Sequence, residues 1–543
     1  MLNIIVGLFF YLYTYPHTRI PSDEKVFALD TEIYSKCLSE RLICSPSIRG
    51  EFTKPVFIIA AGIVHNVVGR FIPISPLEAI NLLSYISLGI IGFFLQLLIV
   101  GHQKEYYRSV IVLVIFYTSV TVNANQLWVG YSTFLACLVL MSIYFLYSII
   151  THENKKVFIA AYLTTSVAAF YSQLSSLPYL VGSGIVGLLW SKYYLKDSKK
   201  ALFLFKLFLI AILLVIAGDV LSLVVQKASY LKVFWENALL NVEGQMFLSG
   251  SPENFYTSEK NLYIFHLIVP LYYISVEFFY CFILLGATIF LLTTKSSLKK
   301  VIADYHPLIF VLLSYCLAFL LLSGGNNQKL LRSFFPLHVG FILLLFLYLE
   351  YFLRNIKQKS SIFFLSFYLL AFIWSAGKSY SLISTLSEPQ KAMKDIVSVN
   401  DKSYIFFNPD EEVWKIAFES GISMFYNKQN NRFVSSFSLA HRFTEETNKV
   451  NVMPIKEIKK YKGEKVYYLL SKPPEGMNEV LPLKKILFFI GSGSFSFWYE
   501  NEVTAQYAAY TFLRAPFSYY LHEINPYTSF LNRKYLYLYQ SGS

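Results

Sequence analysis

Residues 77–101 read LEAINLLSYISLGIIGFFLQLLIVG, a run with one acidic residue, Glu78, and no lysine or arginine. Wound as an α-helix at about 1.5 Å per residue, it extends about 37 Å, enough to cross a hydrocarbon core of about 30 Å. Comparable apolar runs recur near 2–15, 109–122, 127–150, 157–171, 175–191, 202–225, 270–293, 306–323, 333–351 and 361–383. Together they predict a polytopic α-helical membrane protein with about eleven transmembrane helices. Of the 543 residues, 55% are hydrophobic and 18% aromatic. A soluble domain holds about 45–50% apolar residues, so the composition excludes that class. The length of the runs excludes a β-barrel, whose strands alternate in polarity over about ten residues.

Orientation follows from charge. Five basic clusters punctuate the runs: Lys104 with Arg108, Lys155 with Lys156, Lys192 to Lys200, Lys295 with Lys299 and Lys300, and Arg354 with Lys357 and Lys359. Short loops rich in lysine and arginine stay cytoplasmic. All five lie inside if the apolar piece 56–69, which carries His65 and Asn66 and is followed by Arg70, rests along the interface instead of crossing. The N-terminus is then inside, and the loop 16–76 and everything after 383 are outside. The net charge of +13 is explained by inner loops facing anionic headgroups and calls for no nucleic acid. Met1 to Tyr15 has no charged leader and no small-residue cleavage site before Pro16, so it is expected to remain as the first span. No Asn-X-Ser/Thr acceptor occurs in the chain, which points toward a bacterial inner membrane.

Residues 1–385 therefore form a transmembrane module, and 386–543 are expected to fold as an extracytoplasmic α/β domain. That second segment has short β-rich runs at Ser403–Asn408, Ile422–Asn427, Val466–Ser471 and Ile486–Ile490. Asn408 opens a predicted helix over Pro409–Ser420. Cys137, Cys281 and Cys316 fall inside spans and read as small core residues. Cys37 and Cys44 share the outer loop, where a disulfide can form, but in one continuous helix they would stand about 10 Å apart, too far to bridge. The chain has no phosphate-binding loop and no Cys/His cluster at zinc spacing, which argues against an ATP-driven machine.

This topology gathers polar groups on the outer side. They include Asp23, Glu24, Asp30, Glu32 and Lys54, the turns 123–126 and 172–174, His266 in the loop 226–269, and the turn Gly324 to Lys329 leading to Arg332. Asp30-Thr31-Glu32-Ile33-Tyr34, then Lys54-Pro55 opening an amphipathic helix before the second span, resembles the first outer loop of GT-C glycosyltransferases. The likeness is to the protein O-mannosyltransferase and lipid A aminoarabinose transferase group. YIFHLIVP at Tyr263–Pro270 and KLLRSFFP at Lys329–Pro336 are similar to later motifs of that group. The resemblance covers about residues 1–385 in segments. It departs at Thr53, where an acidic residue often precedes Lys-Pro, near Gly130-Tyr131-Ser132, where a second aspartate is often found, and around Ser172-Gln173, where a lysine is often placed.

The resemblance implies inverting transfer of a sugar from a polyprenyl-phosphate donor to a glycan, lipid or protein acceptor, without a nucleotide. The chemistry needs a base for the acceptor, which a carboxylate at the membrane surface can supply. Asp30 is the candidate, with Glu32 beside it. The leaving lipid phosphate gathers negative charge and needs cations opposite, for which Lys54, Lys329 and Arg332 are the candidates, Arg332 offering bidentate contact. His266 is a candidate acid/base or metal ligand; a divalent metal is left open and no other cofactor is implied. Each has a structural alternative. Asp30 and Glu32 can stabilise a helix start, Lys329 and Arg332 can anchor a span end in headgroups, and His266 can be an interfacial histidine. Asp219 and Glu277 lie within spans, where ionisable groups are costly and often functional. Two other functions were weighed: a polysaccharide polymerase or ligase would carry its largest outer loop late in the chain, and a transporter or flippase would show midplane charges, broken helices and inverted repeats.

Overall fold

The computed structural model describes residues 24–40, 54–74, 76–103, 106–127, 131–152, 156–226, 229–232, 270, 273, 277–293, 304–322, 331–377 and 379, together with nine strands between 403 and 541. Two compact units divide the chain, one built mainly from Val26–Gln126 and Gly130–Ala376 and the other mainly from Gly377–Ser543.

In the first unit the helices are α1 (Glu24–Ser39), α2 (Pro55–Gly69), α3 (Pro76–Gln103), α4 (Tyr106–Thr118), α5 (Val120–Leu127), α6 (Tyr131–Thr151), α7 (Lys156–Ser172), α8 (Leu177–Leu189), α9 (Ser198–Gln226), α10 (Phe278–Thr293), α11 (His306–Leu321), α12 (Leu331–Arg354) and α13 (Lys359–Gly377). Five are long and apolar enough to cross a membrane: Glu78–Ile99 in α3, Tyr131–Thr151, Ser198–Val224, Phe335–Arg354 and Lys359–Gly377. The protein is a multi-pass membrane protein. Burial separates the five, since α6 is 78% covered by the rest of the fold and α9 only 17%. Helices α3, α6 and α12 are the core of the bundle. Helix α9 turns Leu213, Leu221 and Val224 outward, as a lipid-facing helix does.

Small residues set the closest approaches. A Cβ on Gly182 of α8 would come within 3.0 Å of the Ala318 backbone nitrogen of α11, so only glycine lets these two helices meet. Likewise a Cβ on Gly62 of α2 would lie 2.5 Å from the Tyr34 ring, which fixes α2 against α1.

One end of the bundle collects the cations. Arg108 at the start of α4 reaches Glu350 near the end of α12 at 2.5 Å and donates to Tyr305 at 3.1 Å. Arg354 donates to Glu350 at 2.7 Å and also pairs with Asp304. Tyr194, beyond α8, meets His306 at the start of α11 at 3.3 Å, and Lys200 at the start of α9 donates to the carbonyl of Ile150 at the end of α6 at 2.5 Å. The ends carrying four basic clusters thus meet on one side. Tyr131 and Leu331, which begin α6 and α12, lie about 30–35 Å away along their helices. That is the opposite end.

Three sequence expectations need correction. The run 109–122 is not one helix: it breaks at Ser119 into α4 and α5, so a broken helix is present in this chain. The Thr118 hydroxyl bonds back to the Val114 carbonyl at 2.6 Å, while the Ser119 and Thr121 hydroxyls both donate to Glu277. The stretch 123–126 is helical, inside α5, and not an outer turn. Cys37 is disulfide-bonded; α1 ends at Ser39, so the premise of one continuous helix through Cys44 fails, and Cys44 itself lies outside the described residues.

In the second unit a five-stranded mixed sheet has the order β4-β1-β5-β9-β6, from β4 (Val450–Pro454), β1 (Ser403–Phe407), β5 (Val466–Leu470), β9 (Tyr537–Ser541) and β6 (Met477–Glu479). Strand β1 pairs parallel with both β4 and β5, in register Ile405 to Val452 and Ile405 to Tyr467. Strand β9 closes antiparallel on β5 and β6. Two short antiparallel pairs, β2 (Phe425–Asn427) with β3 (Arg432–Val434) and β7 (Phe488–Phe489) with β8 (Arg533–Lys534), complete the described strands. The predicted helix 409–420 lies outside the described residues.

Candidate functional site

At the bundle end opposite the cations, α1, α2 and α6 converge. Phe27 and Asp30 stand one turn apart on α1 and therefore share a face. Both are buried, Asp30 at 4% exposure. Lys54 is the cap residue of α2, with Pro55 at the first helical position, where a missing N–H costs nothing. Its side chain makes no capping bond. The ammonium lies instead 4.6 Å from the centre of the Tyr131 ring and 5.2 Å from that of Phe27. Phe57 closes the cluster edge-on, 6.0 Å from Phe27 and 6.1 Å from Tyr131. Lys54 is 9% exposed, and a cation over aromatic faces gains up to about 2 kcal/mol when desolvated. A buried carboxylate one helical turn from Phe27, and an ammonium over the rings of Phe27 and Tyr131, thus stand where α1, α2 and α6 meet.

The other sequence candidates fall differently. Glu32 pairs with Lys36 at 2.9 Å, partly in solvent. Arg332 is the second residue of α12 and stands at the same bundle end as Tyr131. Lys329 and His266 lie outside the described residues. Asp219 accepts from Ser229 at 2.8 Å and from the Leu231 backbone at 2.9 Å, capping the turn after α9. Among the described residues no group of three or more His, Cys, Asp or Glu is arranged to hold a metal ion.

Beside this junction, α1 and α2 are tied by His65. Its Nδ1 meets the Ser35 hydroxyl at 2.8 Å and its Nε2 the Ile74 carbonyl at 3.0 Å. Burial pushes the imidazole below its ordinary range, opposed by the Ile74 bond and the charge of Glu32.

Sequence reasoning missed a second polar centre inside the bundle. Glu277 and His338 are both buried. Oε1 of Glu277 accepts from the Ser119 hydroxyl at 2.7 Å, the Thr121 N–H at 2.9 Å and the Thr121 hydroxyl at 2.8 Å. The freed N–H at the start of α5 is thereby satisfied by a carboxylate, as helix N-termini favour. The Asn123 amide donates to the carbonyls of Tyr117 and Ser119 at the break, both at 2.9 Å. His338 Nε2 lies 2.7 Å from the Ser119 hydroxyl, and its ring stacks on Tyr273 and Phe341. Glu277 alone was visible as an ionisable residue in a span; the Thr-Ser-Val-Thr-Val run 118–122, poor in helix formers, was the signal for its partner.

Fold and site define a multi-pass helical membrane protein with a caged cation and a buried carboxylate at one end of its bundle. No family model matches the chain, and no curated protein sequence matches it. Among solved structures, ArnT from Cupriavidus metallidurans bound to undecaprenyl phosphate is similar at 11% identity and a TM-score of 0.42, over 88% of this chain and 95% of that one. The same protein in the apo state is similar at 10% identity and a TM-score of 0.29, over 86% of this chain and 92% of that one.

Proposed function

We propose that the chain is a GT-C type glycosyltransferase that moves a sugar from a polyprenyl-phosphate carrier to a glycan, lipid or protein acceptor on the extracytoplasmic side. The observation that carries this reading is Lys54 held over Phe27 and Tyr131, with the buried Asp30 one helical turn from Phe27. Asp30 serves as the base that takes the acceptor proton while the anomeric carbon is attacked in line. Burial of Asp30 and Lys54 keeps water from competing and strengthens each charge interaction. Lys54 faces the leaving phosphate, joined by Arg332 and Lys329, so negative charge is met as it develops. Glu32 is held in reserve as a second carboxylate, His266 as an acid/base or metal ligand, and a divalent metal remains open to test.

The same reading keeps about eleven spans, a membrane module over 1–385 and an extracytoplasmic α/β domain over 386–543, in a bacterial inner membrane. Two observations support the orientation. The cation-rich end suits the cytoplasmic face. The disulfide at Cys37 suits an oxidising exterior for α1.

Radiolabel transfer from a polyprenyl-phosphate sugar tests the base directly. Wild type is expected to transfer and Asp30→Asn to lose nearly all activity; equal transfer by both removes Asp30 from the mechanism. A second reading, a carrier for lipid-linked glycans, is favoured by the break at Ser119 beside the buried Glu277, since discontinuous helices with midplane charges mark transporters. Flipping of a fluorescent polyprenyl-phosphate sugar across proteoliposomes, with no transfer to any acceptor, would establish the carrier instead.

A further inference from the structure

Helices α4 and α12 run antiparallel and are clasped twice. Arg108 meets Glu350 at one clasp; Ser119, eleven residues on, meets His338, twelve residues back from Glu350. Both intervals span about 17–18 Å, so the second clasp lies about halfway through a core of about 30 Å. An ionisable pair at that depth is expensive and calls for a function.

Donor and acceptor roles at this clasp are nearly determined. Ionised Glu277 only accepts, so the 2.7 Å contact is the Ser119 hydroxyl donating to Oε1. Ser119 Oγ then accepts from His338, which places the imidazole hydrogen on Nε2 at 2.7 Å. Nδ1 is left as the acceptor facing the Tyr273 hydroxyl at 3.2 Å. The result is a one-way chain, Tyr273 to His338 to Ser119 to Glu277, ending on a carboxylate. Among the described residues, Tyr280 and Cys281 of α10 also face it, and Tyr280 faces Thr118 and Ser375 as well.

We propose that Glu277, Ser119 and His338 form a binding site for one exchangeable proton inside the membrane bundle. A proton from water joins His338 at Nδ1. The Nε2 hydrogen passes to Ser119 as the Ser119 hydrogen passes to Oε1 of Glu277. The step ends with a carboxylic acid, a neutral hydroxyl, and a neutral imidazole whose hydrogen is now on Nδ1, donating to Tyr273. One proton has entered, the cluster has gone from one negative charge to none, and no heavy atom has had to move. What the proton acts on is the joint between α4 and α5, because the carboxylate it neutralises is the acceptor for the first free N–H of α5.

The test is infrared difference spectroscopy on the full chain in lipid nanodiscs, without substrate, as pH is lowered from alkaline to mildly acidic. Wild type is expected to gain one carboxylic-acid band. Glu277→Gln, whose amide oxygen can accept the same three bonds, is expected to lose that band, while Asp219→Asn keeps it. Ser119→Ala removes only the bridge and is expected to keep the band at equilibrium but lose its fast rise after a pH jump. No band in wild type, a band that survives Glu277→Gln, or an unchanged rise in Ser119→Ala each overturns the proposal.

Discussion

Ring faces lower the cost of burying an ammonium, and Lys54 is held over two of them. In the proposed function it is the cation that meets the donor phosphate. Lys54→Met should leave the helices packed yet remove about 1.5–3 kcal/mol of contact with a charged donor, a rise in donor KM of roughly 10- to 150-fold in the transfer assay. A KM unchanged from wild type would take Lys54 out of the phosphate site. His65 gives a pH prediction at the same scale. α2 is read as interfacial, and burial holds the folded imidazole below its ordinary value near 6.5. A group depressed on folding binds protons more readily in the unfolded chain, so its contribution is whole above about pH 6.5 and is lost as pH falls below that. Thermal unfolding should show wild type weakening over this window and His65→Gln responding less; matching slopes would show that His65 does not link α1 and α2 to pH.

Between elements, what mattered was which side chain supplies the partner for a backbone or charge left open, and that is where sequence reading succeeded and failed. The lengths of α3, α6, α9 and α12 followed from apolar runs, because crossing lipid leaves few alternatives to a helix. Strands β1 and β5 were legible from β-branched and aromatic runs. Asp30 and Lys54 were legible as candidates from their local motif, but the aromatic cage of Lys54 was not: Tyr131 is more than seventy positions from Lys54, and nothing local in the sequence ties them. The break at Ser119 was missed because its stability comes from Glu277, far along the chain. The Arg108–Glu350–Arg354 clasp was missed for the same reason. It yields a contrast that charge counting cannot. Glu350→Ala leaves buried arginine charge without its carboxylate and should cost about 3–5 kcal/mol in detergent unfolding. Glu32→Ala breaks only an exposed i,i+4 pair with Lys36 and should cost at most about 0.5 kcal/mol. Equal losses would mean that the Glu350 clasp is as weak as a surface pair.

For the molecule as a whole, charge and redox chemistry are two independent compasses, and they agree. Four of the five basic clusters meet at one end of the bundle, the end that the bias of membrane insertion favours for the cytoplasm. The disulfide at Cys37 belongs to α1, whose Phe27 lies against Tyr131 at the other end, and disulfides persist where thiols are not kept reduced. A lipid-phosphate sugar presented from the outer leaflet can reach Asp30 and Lys54 only if that end faces outward, so the enzyme reading stands or falls with this orientation. Single cysteines at two exposed positions decide it: Arg70→Cys, just past α2, and Lys357→Cys, between α12 and α13. With a membrane-impermeant maleimide on intact cells, Arg70→Cys should label at once, and Lys357→Cys only after permeabilisation, against the low background of wild type. Labelling of Lys357→Cys first would invert the bundle. It would set Asp30 and Lys54 at the cytoplasmic face, and the donor would then have to be supplied from the inner leaflet.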